Sequence, residues 1–526
     1  MPSRPSTPPA GTSTISQLHS IKSTPHSRGS GSHYSYQSQN CQSNYKPYLI
    51  EDLKLQYTIP FDEFLNDILH LSPDWISENT SQIHNIVRDQ YFEKMVSKYR
   101  EPVTHETSRY PPFIELANHV ISRLNTNPDS RICLCRNDPV IVAGSHAHRK
   151  PDVVGVRYKS LEVPERSSID NLMNSGPDQA PFFWTELLFF FEFKVTRKSL
   201  TRQGAVVPLA LNSPVGAPPS PSTSRKSSLP GKEHTVPTTA THSASRSLAT
   251  SASESKRSPN TLSSRPYGSK RRKVDDTSAM LQCASYALEM MSHGGLRSHV
   301  ISALVTDDII QLLYYDRSII VVSEPINFLE EPSHFVAMLH TMGNLKLSQL
   351  GYADLITPSP LLDNPRRTAD IFNGLKLTLN DGTGLLLGST IYQQHGIIGR
   401  GTCVVRAQYI TGSGARCDDD SWDGSLVVKL SWPATSRISE NDLIAKARNA
   451  ANHDEHRWVL KHLPKVLHAE DQHISSLSQA LIDRMGDRYE ERVLRIIVQE
   501  ELYPITEQTT AVDLAQSFRE IFKCGH

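Results

Sequence analysis

LLFFFEFKV (187–195) is the stretch on which the fold turns. Aromatic and branched residues crowd it and polar residues bound it, so it reads as a buried strand. Its alternation points Glu192 and Lys194 to the same side, because side chains two apart share a strand face. Upstream, RICLC (131–135), VIVAG (140–144) and DVVGVR (152–157) carry the same strand signal. Before them the pattern is helical: Phe61, Phe64, Leu65, Ile68 and Leu69 recur at helical spacing, as do Ile114, Leu116, Val120, Ile121 and Leu124. Downstream, MLQCASYALEMM (280–291) and HFVAMLHTM (334–342) predict helices, and HVISALV (299–305), IIQLLYY (309–315) and SIIVVSE (318–324) predict strands. Helices alternating with strands on both sides of a polar interruption predict one α/β domain over 46–198 and 276–350.

The interruption, 199–275, contains PSPSTSRKSS (219–228) and SASRSLATSASESKRSPN (243–260) and has almost no large apolar residues. It predicts a disordered, basic, Ser/Pro-rich insertion. Residues 1–45 are rich in Ser, Pro, Thr, Gln and Gly and predict a disordered tail, since such a segment buries too little apolar surface to offset its ordering entropy. A second, strand-rich unit is expected over 371–526.

Composition narrows the function classes. Of 526 residues, 55 are Lys or Arg and 55 are Asp or Glu, which argues against a chain-wide polyanion-binding surface. The seven cysteines are odd in number and show no CxxC spacing, which favours a reducing compartment. Cys133 and Cys135 sit in an apolar run and are expected as buried thiols. The amino terminus lacks the apolar core of a signal peptide, and the longest apolar stretch, around Leu187 to Phe191, is too short to span a bilayer, so an intracellular protein without membrane contact is expected.

Pro151-Asp152 opens one strand and Glu192-Phe193-Lys194 closes another. A carboxylate pair can hold a hard divalent cation, and a neighbouring lysine can orient or activate water for attack on a phosphodiester. This pattern resembles the PD-(D/E)XK nuclease core, with Asp152 and Glu192 as metal ligands for Mg²⁺ and Lys194 beside them. Gln282 and Tyr286, one helical turn apart, resemble the QxxxY helix of several branches of that superfamily, and Glu115 lies on an upstream helix where those folds often carry an acid. The alternatives are a strand-opening Asp, a solvated ion pair and the polar edges of a packed helix. His146 and His148 in GSHAHRKPD (144–152) lack further ligands at a metal-binding spacing and are expected as surface residues.

In LLLGSTIYQQHGIIGRGTCVVRAQYI (385–410), Gly399 and Gly401 let backbone approach nucleotide phosphates, although the third glycine of a GxGxxG turn is Val404 here. LVVKLSWP (426–433) places Lys429 in a VxK strand, as kinases place the lysine that meets the α- and β-phosphates. Glu440, in SRISENDLIAKARNA (436–450), starts a helix where a kinase holds the acid partner of that lysine, and the backbone around Gln499 to Glu501 would be the adenine-binding hinge.

RKPDVVGV, WTELLFFFEFK, the Gln-xxx-Tyr helix, LLYYDRS, GRGTCVVRA, VVKLSWP and RVLRIIVQEELYPIT follow one another in the order seen in fungal-type protein kinases, and the chain resembles that family from about Pro111 onward. The resemblance implies a serine/threonine kinase-like protein and ATP binding through Gly399, Gly401, Lys429 and Glu440. The overall expectation is a nuclease-like α/β domain followed by the β-rich amino-terminal lobe of a kinase-like α+β fold. No HRD loop with its downstream Asn and no DFG occurs in the sequence, so the lobe is expected to be incomplete, with no kinase catalytic residues, and phosphoryl transfer is expected to fail. Leu514, Phe518, Ile521 and Phe522 form an apolar helical stripe that needs a partner.

Lys256-Arg257 and Lys270-Arg271-Arg272-Lys273 have the layout of a bipartite nuclear import signal, which predicts an import receptor as partner and a nuclear location; a local nucleic-acid patch or a soluble linker are the other readings. Three functional classes follow: a kinase-family protein that binds nucleotide, a metal-dependent nuclease, and a non-catalytic interaction protein.

Overall fold

The structure is a computed structural model that describes residues 42–125, 131–145, 147–162, 169–174, 176–177, 180–196, 276–357, 370–410, 425–452, 457–474 and 476–501, with 510–512, 515–516 and 519. The insertion with its basic residues, His146 and the stripe of Leu514, Phe518, Ile521 and Phe522 lie outside the described residues.

Eight strands build the first sheet: β1 (Tyr57–Ile59), β2 (Ile132–Arg136), β3 (Val153–Arg157), β4 (Phe189–Lys194), β5 (His299–Thr306), β6 (Ile309–Asp316), β7 (Ile320–Ser323) and β8 (Ile326–Asn327). Their order is β1-β7-β6-β5-β4-β3-β2, with β8 on β6. The β1–β7 and β4–β5 pairs are parallel. Four long helices flank the sheet, α1 (Gln42–Lys54), α2 (Tyr110–Leu124), α3 (Asp276–His293) and α4 (Pro332–Asn344). Strand alternation splits β4 between two layers. Phe189, Phe191 and Phe193 pack into the core shared with α2 and α4, where Phe113 lies edge-on to Phe191 and Phe193 at 5.4 and 5.0 Å. Phe190 faces the opposite core, against Tyr286 of α3 at 5.3 Å. Burying each of these rings is worth roughly 1.5–3 kcal/mol, which pins the register that aims Glu192 at α3.

Two expectations shift. VIVAG (140–144) forms no strand; its one ladder contact is the bridge from Ala143 to Phe183, and Val142 instead donates its amide to the Arg149 carbonyl at 3.0 Å. The expected tail over 1–45 reaches too far, because α1 begins at Gln42, and Tyr45 with Leu49, one turn apart, are buried against the face that carries α3.

The second sheet is antiparallel throughout, from β9 (Ile356–Thr357) and β10 (Lys376–Thr378) through β11 (Gly384–Gln393), β12 (Cys403–Ile410) and β13 (Leu426–Ser431) to β14 (Val466–Gln472) and β15 (Leu494–Glu500), in the order β14-β15-β13-β12-β11-β10-β9. It therefore starts ahead of the expected boundary at 371. Leu385, Val405, Val428, Leu430 and Ile496 form its core, and helix α5 (Glu440–Ala451) is capped by Ser439, whose hydroxyl accepts from the Asp442 amide. The two sheets belong to one compact unit, and segments expected in the second complete the first. Ile397 and Ile398, in the β11–β12 turn, join the α1–α3 core, while Leu481 and Met485 join the α2–α4 core. No helix among the described residues is long and apolar enough to cross a membrane.

Candidate functional site

The first sheet gathers Asp152, Glu192 and Lys194 beneath α3. Asp152 and Glu192 are 5 % and 0 % exposed, so neither carboxylate is solvated. Asp152 accepts from the Phe193 amide at 2.7 Å, which ties the start of β3 to β4. Lys194 Nζ donates to Glu192 Oε1 at 2.5 Å and to the Phe193 carbonyl at 2.6 Å. Glu192 Oε2 is buried without a hydrogen-bond donor. Burial, with the adjacent Asp152 charge adding to it, drives the Glu192 carboxyl well above its ordinary range, and burial raises Asp152 as well. A proton or a cation between the two would relieve the charge that each places on the other. Burial works against the Lys194 ammonium, but Glu192 and Glu106 outweigh it and hold its pKa above the usual value.

Gln282 and Tyr286 support this cluster from α3. Gln282 Nε2 donates to the Tyr286 hydroxyl at 2.8 Å, and that hydroxyl donates to the Lys150 carbonyl at 3.0 Å, fixing the chain just ahead of Asp152. Glu115 is not brought there: it takes Lys98 at 3.2 Å and the Tyr91 hydroxyl at 3.5 Å. The upstream acid at the cluster is instead Glu106, 3.8 Å from Lys194 and hydrogen-bonded by Tyr110, whose hydroxyl also meets Asp152. The signal available in sequence was Pro111-Pro112, which starts α2 and so places Glu106 and Tyr110 at its amino end. Cys133 and Cys135 are buried thiols, and His148 is exposed. Among the described residues no group of three or more His, Cys, Asp or Glu is arranged to hold a metal ion. A cation at Asp152 and Glu192 would therefore need water or substrate oxygens to complete its shell.

In the second sheet, Lys429 of β13 and Glu440, the first residue of α5, form an ion pair. Strand and helix meet there because Ser439 caps α5 and leaves Glu440 at its amino end, facing β13. Gly399 and Gly401 occupy the β11–β12 turn with φ of 128° and 48°. The turn is fastened to the first sheet. The Gly399 amide donates to the Arg317 carbonyl at 2.8 Å, Arg317 Nη1 donates to the Gly396 carbonyl at 2.7 Å, and Gln393 donates to the Ser292 carbonyl. Arg317 lies in LLYYDRS, a segment quoted for the family resemblance but given no role of its own. In the hinge segment, Gln499 pairs with Val427 and Val466, and the Glu501 amide donates to the Ser425 carbonyl at 2.8 Å.

Neither the curated proteins nor the solved structures include a match to this chain. A family model does match it, that of the fungal protein kinases, over residues 250–523, a span that takes in α3, the strands β5 to β8 and the whole second sheet. With more than half of its 526 residues covered, and with a lysine–acid pair joining strand to helix inside that span, the chain belongs to the fungal protein kinase family.

Proposed function

We propose that this protein binds ATP with Mg²⁺ on the second sheet, Lys429 meeting the α- and β-phosphates and Glu440 holding Lys429 in place. The observation that supports it most is the Lys429–Glu440 pair itself, since a half-buried ion pair gains little net stability and its placement suits a ligand better than a fold. Contact of Gly399 with phosphate would require its amide to exchange the Arg317 carbonyl for a phosphate oxygen. The proposal stops at binding, because the acceptor-positioning Asp and the metal-holding Asn and Asp of a transfer site have no counterpart in these 526 residues. Titration calorimetry with ATP and Mg²⁺ tests it: saturable heat that Lys429→Met abolishes is expected, and equal binding by the variant overturns it.

A second reading rests on the partnerless Glu192 Oε2. A divalent cation between Asp152 and Glu192, with Lys194 beside it, would support metal-dependent phosphodiester hydrolysis. Cutting of DNA or RNA in Mn²⁺ by the protein but not by its Asp152→Ala, Lys194→Ala variant is expected. Nuclear import through Lys256, Arg257 and Lys270 to Lys273 rests on sequence alone and is checked by a tagged chain in which Lys270 to Lys273 are alanine.

A further inference from the structure

Two arginine side chains, Arg317 and Arg492, meet Trp432 just past the end of β13, and Arg400 and Arg437 stand close enough to act on Arg492. The Arg317 guanidinium lies 4.8 Å from the Trp432 ring centroid. Arg492 Nη1 donates to the Trp432 carbonyl at 2.8 Å, and the Trp432 amide donates to the Arg400 carbonyl at 2.7 Å. Arg400 and Arg437 are exposed at the rim, whereas Trp432 and Arg317 are 4 % and 5 % exposed and the Arg492 side chain 6 %. Each guanidinium stands in the field of another: Arg492 acts on Arg317, and Arg400 and Arg437 act on Arg492.

The opposing charge is small. Glu490 pairs with Arg492 at 2.5 Å. Asp316 is the other nearby acid, and its oxygens already take the Ser318 and Ile319 amides and the Tyr314 hydroxyl. Three buried N–H groups around Trp432 find no acceptor: Arg317 Nε, Arg492 Nε and Trp432 Nε1. A buried donor without an acceptor is unfavourable, and three at one place, in a surplus of positive charge, ask for a multivalent anion.

We propose that the cluster of Arg317, Arg492 and Trp432, with Arg400 and Arg437 at its mouth, is a binding site for a phosphate group. A tetrahedral dianion offers oxygens in several directions to donors that approach from different segments, and it offsets two positive charges where a planar carboxylate offsets one. The site adjoins the glycine turn of the nucleotide reading through Arg400 and the Gly399–Arg317 hydrogen bond, but it does not use Lys429. Trp432 continues the alternation of Leu426, Val428 and Leu430, which puts it on the opposite face of β13 from Lys429. The phosphate can be free or carried on a phosphorylated side chain, and both present the same oxygens.

The test follows intrinsic tryptophan fluorescence and the thermal midpoint of the full chain in low-salt buffer, titrated with sodium phosphate, with O-phosphoserine, and with sodium chloride at matched ionic strength. Saturable binding of phosphate or phosphoserine beyond the chloride response is expected. The Arg400→Gln, Arg437→Gln double variant, which alters exposed side chains only, should weaken it at least about tenfold, as expected when two charge-assisted contacts are lost. Trp432→Phe should remove the fluorescence response, and Lys429→Met should bind as the parent does. Tighter binding of phosphoserine identifies a modified side chain as the source, and equal binding points to the free ion. No response beyond chloride, unchanged affinity in the double variant, or loss of binding in Lys429→Met would each overturn the site.

Discussion

Gly401 lies directly beneath Arg317: a β-carbon on it would stand 2.6 Å from both Cζ and Nη1 of that guanidinium. The glycine-rich turn is thus shaped around a side chain of the first sheet as well as for its own reversal. Gly401→Ala should therefore add a clash to the strain of a φ of +48°, and lower stability by roughly 2–4 kcal/mol. Gly382 provides the control, because its φ is +86° and nothing lies within 4 Å of where a methyl group would stand, so Gly382→Ala carries the backbone strain alone, about 1 kcal/mol. Urea denaturation compares them. Equal losses would mean that Arg317 yields without cost and does not hold the turn.

Gly155, in β3, is a stricter case. A methyl group there meets the Phe189 ring at 2.2 Å, and Phe189 is itself locked in the α2–α4 core. Gly155→Ala should cost about 3 kcal/mol or more, since neither strand can retreat within a paired sheet. The Gly155→Ala, Phe189→Leu double variant should recover part of that loss in the same denaturation experiment. Failure to recover would place the strain in the backbone instead.

What the sequence disclosed, and what it withheld, divides along range of interaction. LLFFFEFKV (187–195) yielded β4 and the shared side of Glu192 and Lys194, because alternation is local. VxK spacing and the kinase-like placement of Glu440 at a helix start likewise pointed to the Lys429–Glu440 pair. β1 was missed: three residues, Tyr57–Ile59, are a strand only because β7 pairs with them. Glu106 was not singled out beside Glu115, because only the packed start of α2 shows which acid turns toward Lys194. The docking of Ile397 and Ile398 into the first sheet's core had no periodic signature at all.

Glu289 makes stability depend on pH. Burial lifts its carboxyl from 4.5 to about 7, against the opposing pull of the Ser145 hydroxyl at 2.8 Å and of Arg149. Above the unfolded value the native state holds a proton that the unfolded chain releases, so stability is greatest below about pH 4.5 and falls as pH climbs through about 7. Glu289→Gln removes this dependence and keeps a hydrogen-bonding partner for Ser145. The difference in unfolding free energy between variant and parent should change by up to roughly 3 kcal/mol from pH 4.5 to 8, in favour of the variant at high pH. Asp52 and Asp316, raised to about 7 and about 6, act in both proteins and cancel in the comparison. Parallel pH profiles would show that folding leaves the Glu289 carboxyl at its unfolded value.

Lys194 is the ion-pair partner of both Glu192 and Glu106, at 2.5 and 3.8 Å, and its field also reaches Asp152. Lys194→Met fills similar space and leaves three acids without that charge, a change of roughly 3–5 kcal/mol near neutral pH. Without the ammonium the carboxyls of Glu192 and Asp152 rise further, so the folded chain holds protons over a wider range than the unfolded one. The loss should accordingly be largest at high pH and shrink as pH falls and the acids become neutral. A divalent cation is the other way to satisfy them. If Asp152 and Glu192 accept one, Mn²⁺ should raise the thermal midpoint of Lys194→Met, and Glu192→Gln added to that variant should cancel the rise. A midpoint indifferent to Mn²⁺, with the pH response intact, would leave the cluster as a proton-sharing ion network and remove the support for metal-dependent hydrolysis.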